Sequence, residues 1–115
     1  MHRYPKDYDL KEIKLKQYVL IEYSKGPEYW DYATSIRNML ERHFPKIFNY
    51  ELRRDPSVTE RLEVTIYPHK SYQDPTYQVG TVVHSKENGQ GLVKDDWDTF
   101  LMRVKLALEK CKENL

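Results

Sequence analysis

The stretch from Tyr18 to Trp30, YVLIEY-SKGP-EYW, constrains the fold more than any other part of the chain. Tyr18 to Tyr23 is apolar in both registers at Val19, Leu20 and Ile21, the pattern of a central strand covered on both faces. Ser24-Lys25-Gly26-Pro27 then turns the chain. Beyond it Trp30, Ala33, Ile36, Met39, Leu40 and Phe44 recur every three or four residues as one helical stripe facing a core. Pro27 fits the first helical turn, where its missing N–H is not needed, and Pro45 ends the helix. A strand, a tight loop and a helix N-terminus bring loop amides and the positive helix end together, which is where many α/β proteins keep their chemistry.

Ile47 to Arg53 reads as a second strand. With a helix between them, the two strands are expected to pair in parallel as a right-handed βαβ unit. Arg54-Asp55-Pro56-Ser57 has turn chemistry. Arg61 to Tyr67 alternates cleanly, with Leu62, Val64 and Ile66 on one face and Glu63, Thr65 and Tyr67 on the other. Pro68 to Thr76 holds two prolines among polar residues and is a loop. Gln78 to Ser85 resumes as a strand, giving an antiparallel hairpin with an over-long tip. Lys86 to Gly91 is a glycine-containing turn whose G-x-G lacks the third glycine and the strand-to-helix setting of a dinucleotide site. Asp95 or Asp96 caps a final helix, with Asp98 in its first turn. Its core stripe is Trp97, Phe100, Leu101, Val104, Ala107, Leu108, Cys111 and Leu115.

A chain of 115 residues makes one domain with a single two-layer core. Residues 1–16 are polar and mixed in charge and are expected to form a flexible N-terminal arm ahead of a domain over 17–115. The alternation of Lys11 to Lys16 is able to prolong the first strand. Lys and Arg number 19 against 18 Asp and Glu, so no net field favours nucleic acid or an anionic membrane. No apolar run approaches the roughly 20 residues of a membrane span, and the first residues lack the hydrophobic segment of a signal peptide. A lone cysteine excludes an internal disulfide framework and a CxxC centre. An intracellular, cytoplasmic protein is the expectation, without membrane association. His2, His43, His69 and His84 show no ligand spacing and read as scattered surface histidines, so no metal and no cofactor are expected. The 10 tyrosines exceed what a core of this size uses, which suggests surface contacts.

The element order β-α-β-β-β-α, an α/β (α+β sandwich) arrangement of a four-stranded mixed sheet and two helices, belongs to the thioredoxin-like class. Within it the chain resembles the selenoprotein W, or Rdx, family. That family runs from a strand ending in Tyr into C-x-x-C or C-x-x-selenocysteine, then a helix ending Leu-Glu-x-x-Phe-Pro. Here Tyr23 is followed at the matching distance by Leu40-Glu41-Arg42-His43-Phe44-Pro45. Pro56, Thr59 and Leu62-Glu63-Val64 fall where the family has a Pro, a Thr and a Phe-Glu-Val. Val83-His84-Ser85-Lys86-Glu87-Asn88-Gly89-Gln90-Gly91 is similar to its apolar-His-Ser-Lys-x-x-Gly-x-Gly signature. The resemblance covers roughly Gln17 to Lys110.

Two departures shape what the resemblance implies. Ser24 falls at the family's first cysteine and Pro27 at its second cysteine or selenocysteine. The family's redox chemistry needs a thiolate of depressed pKa at the helix N-terminus and a partner sulfur to resolve it. Serine has no such reactivity without a general base, and proline has no reactive group. The other departure is an insertion at about 67–78, a recognition loop or a tolerated lengthening. The expectation is a redox-inactive thioredoxin-like protein, not an enzyme, serving as a binding module or complex subunit for an unidentified protein partner. Its candidate surface is Ser24, Lys25, Gly26, Pro27, Glu28 and Tyr29, with His69 and Tyr72 from the insertion. One alternative is a binder of glutathione or a phosphate-bearing ligand, or an enzyme with non-thiol chemistry, using the helix N-terminus, Lys25 and Ser24 as donors. Another is RNA or ribosome association through tyrosines and lysines, which the neutral net charge disfavours.

Overall fold

The computed structural model describes residues 17–68 and 80–113, the last three by backbone alone. The expected N-terminal arm, the insertion residues His69 and Tyr72, and the side chains of Cys111 and Leu115 lie outside the described residues. The elements are β1 (Gln17–Tyr23), α1 (Pro27–His43), β2 (Phe48–Arg54), β3 (Leu62–Tyr67), β4 (Thr81–Ser85), a 3-10 turn (Val93–Asp95) and α2 (Trp97–Glu113). The sheet order is β2-β1-β3-β4. β1 runs parallel to β2 and antiparallel to β3, which pairs antiparallel with β4. This is the α/β, thioredoxin-like β-α-β-β-β-α arrangement that the sequence predicts. No helix among the described residues is long and apolar enough to cross a membrane.

β1 is the centre of the sheet because both its registers are buried. Ile21 sits between Leu52 of β2 and Val64 of β3. Val19, Ile21 and Tyr23 join Ala33, Ile36 and Leu40 of α1 and Phe100, Val104 and Ala107 of α2 in one cluster, so both helices cover the same face. Tyr18 and Leu20, in the other register, are also buried but outside that cluster. The Tyr18 ring lies 5.9 Å from that of Tyr67, and its hydroxyl donates to the Glu51 carboxylate. Desolvation, then this negatively charged acceptor, push the phenol pKa upward.

The buried stripe of α1 is Tyr29, Ala33, Ile36 and Leu40. Trp30, expected on that stripe, is instead 51% exposed. Tyr29 takes the inward place, one residue earlier, where its hydroxyl reaches Glu60 O. Trp30 is left leaning on Tyr23, ring centroids 6.1 Å apart. The helix ends in a turn held by Glu41, which accepts from the Lys46 amide at 3.1 Å and the Tyr50 hydroxyl at 3.2 Å. Lys46 has φ 63, and Ile47 is absorbed into this turn, so β2 begins at Phe48.

β4 is shorter than the predicted strand, starting at Thr81. An irregularity between Val64 and Thr65 pairs Val64 with His84 and Thr65 with Val82, leaving Val83 as an extra residue. Gly80, just ahead of β4, passes close to β3. A Cβ there would lie 2.6 Å from Tyr67 Cε1 and 2.7 Å from Thr65 Cγ2. Gly80→Ala is therefore expected to destabilise the fold by about 1–3 kcal/mol through overpacking. A lower urea midpoint at unchanged slope is the measurement. Of the two expected caps, Asp96 holds the start of α2: its Oδ1 accepts from the Thr99 amide at 3.1 Å and its Oδ2 from the Thr99 hydroxyl at 2.7 Å. Asp95 belongs to the 3-10 turn.

Candidate functional site

Strand directions bring three loops to one end of the sheet. The β1–α1 loop, the β2–β3 loop and the turn after β4 meet where Tyr23 pairs with Leu62 and Glu63 pairs with Ser85. Backbone bonds tie the first two: Ser24 N–H donates to Arg61 O at 2.9 Å, Lys25 N–H to Ser57 O at 3.2 Å, and Asp55 N–H to Tyr23 O at 2.7 Å.

Ser24 is the pin of this junction. It is 0% exposed. Its Oγ accepts from the amides of Thr59 and Glu60, both at 2.9 Å, and donates to Lys25 O at 3.0 Å. Its lone pairs and its proton are all in use. The predicted placing of Ser24 on an accessible binding surface is therefore corrected: the hydroxyl faces the β2–β3 loop because two inward amides there need an acceptor. Tyr29 is corrected for a related reason. It is buried, and its hydroxyl donates to Glu60 O at 3.3 Å.

Lys25, Pro27 and Glu28 are exposed and Gly26 is half-buried. Gly26 has φ 138, a conformation only glycine adopts without strain, and it precedes Pro27 at the first helical position. The Glu28 carboxylate folds back beside Gly26, its Oε1 3.7 Å from where a Cβ would sit. A negative charge in the first turn suits the helix dipole and opposes a second anion at the same place. Trp30 on α1 and Val58 on the β2–β3 loop, 73% exposed, complete this edge with apolar surface. His69 and Tyr72 lie outside the described residues.

Sequence reasoning missed Arg61. Its guanidinium bonds Asp55 Oδ1 and Glu87 Oε1, each at 2.9 Å, and approaches Glu22 Oε1 at 3.4 Å, so one side chain links β1, the β2–β3 loop and the turn after β4. Asp55, buried, also accepts from the Thr59 hydroxyl at 2.5 Å. Glu63, likewise buried, accepts from the Ser85 hydroxyl and from the Glu87 amide. Partners this far apart in sequence leave no local pattern.

His84 is not a surface histidine: it is 2% exposed, because it pairs with the core-facing Val64 of β3 and so turns toward Phe100, ring centroids 6.2 Å apart. Nε2 lies 2.7 Å from Gly91 O. Burial holds the imidazole pKa below its ordinary value, Arg103 adds to the lowering, and the Gly91 carbonyl and Glu63 oppose it. The folded chain thus binds fewer protons than the unfolded chain. The contribution is complete above the unfolded pKa of about 6.5 and is lost as pH falls from there through the lower folded value. Urea midpoints are expected to decline between about pH 7 and pH 5, and His84→Gln, which keeps a donor for Gly91 O, is expected to flatten that decline.

Among the described residues no three His, Cys, Asp or Glu side chains gather as a metal site. The chain matches no protein-family model, and a search of curated proteins returns no match.

Proposed function

We infer that this protein is a thioredoxin-like binding module of selenoprotein W type that works without thiol chemistry and docks a protein partner through its loop edge. The observation that carries this reading is Ser24. At the position which the resemblance gives to the first redox cysteine stands a hydroxyl engaged in three structural hydrogen bonds, 0% exposed. Beside it Lys25 and Pro27 are open and Trp30 and Val58 keep large apolar surface in water, the composition of a contact patch. The Glu28 carboxylate at the helix mouth weighs against glutathione or phosphate there, and a net charge of +1 weighs against nucleic acid.

Capture from native extract with the wild-type chain and with Lys25→Glu/Trp30→Ala tests this. A partner retained by the wild type and lost by a variant of unchanged circular dichroism supports the edge. Identical partner lists overturn it. Insulin reduction or peroxide consumption above background overturns the thiol-free reading.

A further inference from the structure

β2 is an edge of the sheet: among the described residues it pairs with β1 alone, and no strand lies on its outer side. Asp55 N–H donates to Tyr23 O and Ile47 O accepts from Gln17 N–H, so the odd-numbered residues of β2 direct their backbone groups at β1. Strand alternation then turns the N–H and C=O of Tyr50, Leu52 and Arg54 to the outer edge. Edge strands are commonly guarded by charged side chains, lysine above all, and a row of like charges repels its own copy. This edge carries opposite charges instead. Glu51 and Arg53 lie two residues apart on the face away from the helices and pair at 2.7 Å.

A two-fold axis across such an edge pairs β2 with itself in antiparallel sense, and the charges select the register. Centred on Glu51 or Arg53, like charges meet; centred on Tyr50, Arg54 meets Lys46. Centred on Leu52, Glu51 stands opposite the second copy's Arg53 and Arg53 opposite its Glu51, so the signs alternate both along and across the strands. The same register sets Arg54 opposite Tyr50 on the helix-covered face. Arg54 is exposed, and no ion pair of the described residues includes it. The Tyr50 hydroxyl donates to Glu41, so the second copy offers Arg54 an aromatic ring with a carboxylate beside it. Tyr50 and Leu52 pack on the core yet remain half-buried, and the pairing covers the rest of them. α1 lies over β1 and β2, so strand spacing holds the two α1 helices about 10 Å apart, the distance of packed helices and not of a clash.

We propose that β2 pairs with β2 of a second copy of this chain around Leu52, joining the two sheets into one continuous sheet. Leu52 exchanges both backbone bonds with its own copy, and Tyr50 exchanges its bonds with Arg54 on either side. A contact of a few residues on each chain is small, so the dimer is weak, with a dissociation constant on the order of 10–100 µM. The proposal rests on none of Lys25, Trp30 or Val58 and stands apart from the docking edge.

Sedimentation velocity of the full chain from about 1 to about 500 µM is expected to move from the mass of one chain to twice that mass. Hydrogen exchange on the same samples should slow at the Tyr50, Leu52 and Arg54 amides as concentration rises and stay unchanged at Asn49, Glu51 and Arg53, whose amides β1 already holds. Glu51→Arg and Arg53→Glu should each weaken self-association at least about tenfold. An equimolar mixture of the two variants should recover it, since opposite charges then meet at both positions across the axis. The exchange pattern is read on the unaltered chain, so the outcome does not rest on a variant folding. A single-chain mass at every concentration overturns the proposal, as does a dimer whose Tyr50, Leu52 and Arg54 amides stay fast. So does slow exchange at those amides that ignores concentration, the result that a segment of the same chain would give, or a mixture that pairs no better than its components.

Discussion

Ser24→Ala is expected to destabilise the fold by about 2–4 kcal/mol, although it removes one oxygen atom from a loop. The methyl group of alanine fits the space, so packing is not the issue. What is lost is the acceptor for two amides, Thr59 and Glu60, which bond Ser24 Oγ at 2.9 Å each in a spot that solvent does not reach. A buried donor without a partner costs about 1–3 kcal/mol, against about 1 kcal/mol for a bond that water can replace. For a domain of this size such a loss lowers Tm by roughly 10–20 °C. Hydrogen exchange at Thr59 and Glu60 should accelerate more than at core amides such as Val64, because the β2–β3 loop is released first. Ser24→Cys would retain a weaker acceptor and fall between the two. A loss of less than about 0.5 kcal/mol with unchanged exchange would mean that the loop is held elsewhere.

That dependence on Ser24 also marks the boundary of what the sequence can express. Leu62, Val64 and Ile66 announce β3 by alternation, and Pro45 announces the end of α1, because these signals act over a few residues. The central place of β1 follows from Val19, Leu20 and Ile21, since only a strand covered on both faces tolerates apolar residues in both registers. The choice between Tyr29 and Trp30 is of another kind. Both are aromatic and adjacent, and which one turns inward depends on how the first turn of α1 meets Tyr23 and Glu60. The partners of Ser24 lie 35 and 36 residues away, so its sequence neighbourhood tells what chemistry it lacks and not what it holds. His84 is similar: its burial follows from its pairing with core-facing Val64 on another strand, which its own neighbours do not foretell.

Arg61 carries the second large effect, and its removal should reach every loop at this end of the sheet. Arg61→Met keeps much of the aliphatic stem and deletes the fork that joins Asp55, Glu87 and Glu22. Three carboxylates then surround a neutral side chain. Glu87 is well exposed and loses little, because a solvated ion pair contributes only about 0–1 kcal/mol. Asp55 decides the magnitude. Its side chain is 9% exposed, and without Arg61 only the Thr59 hydroxyl and its loop remain to compensate a buried charge. A loss of about 2–3 kcal/mol is expected, and Arg61→Lys should recover only part of it, since an ammonium cannot bridge carboxylates in a planar fork. Asp55→Asn in the Arg61→Met background should cost less than Asp55→Asn alone, with a coupling of about 1 kcal/mol or more in a double-mutant cycle. Strict additivity would show that the contact is geometric and not energetic. The coupling bears on the loop edge as well, because Asp55 and Ser24 both hold Thr59, Asp55 by its hydroxyl and Ser24 by its amide. An edge held this way presents Lys25, Trp30 and Val58 in a fixed arrangement, so under the proposed docking function Arg61→Met is expected to weaken any partner capture that the wild-type chain shows, without Arg61 itself touching the partner. If binding survives at full strength in a chain that has lost the predicted stability, the partner reads the individual side chains and not the arrangement of the loops.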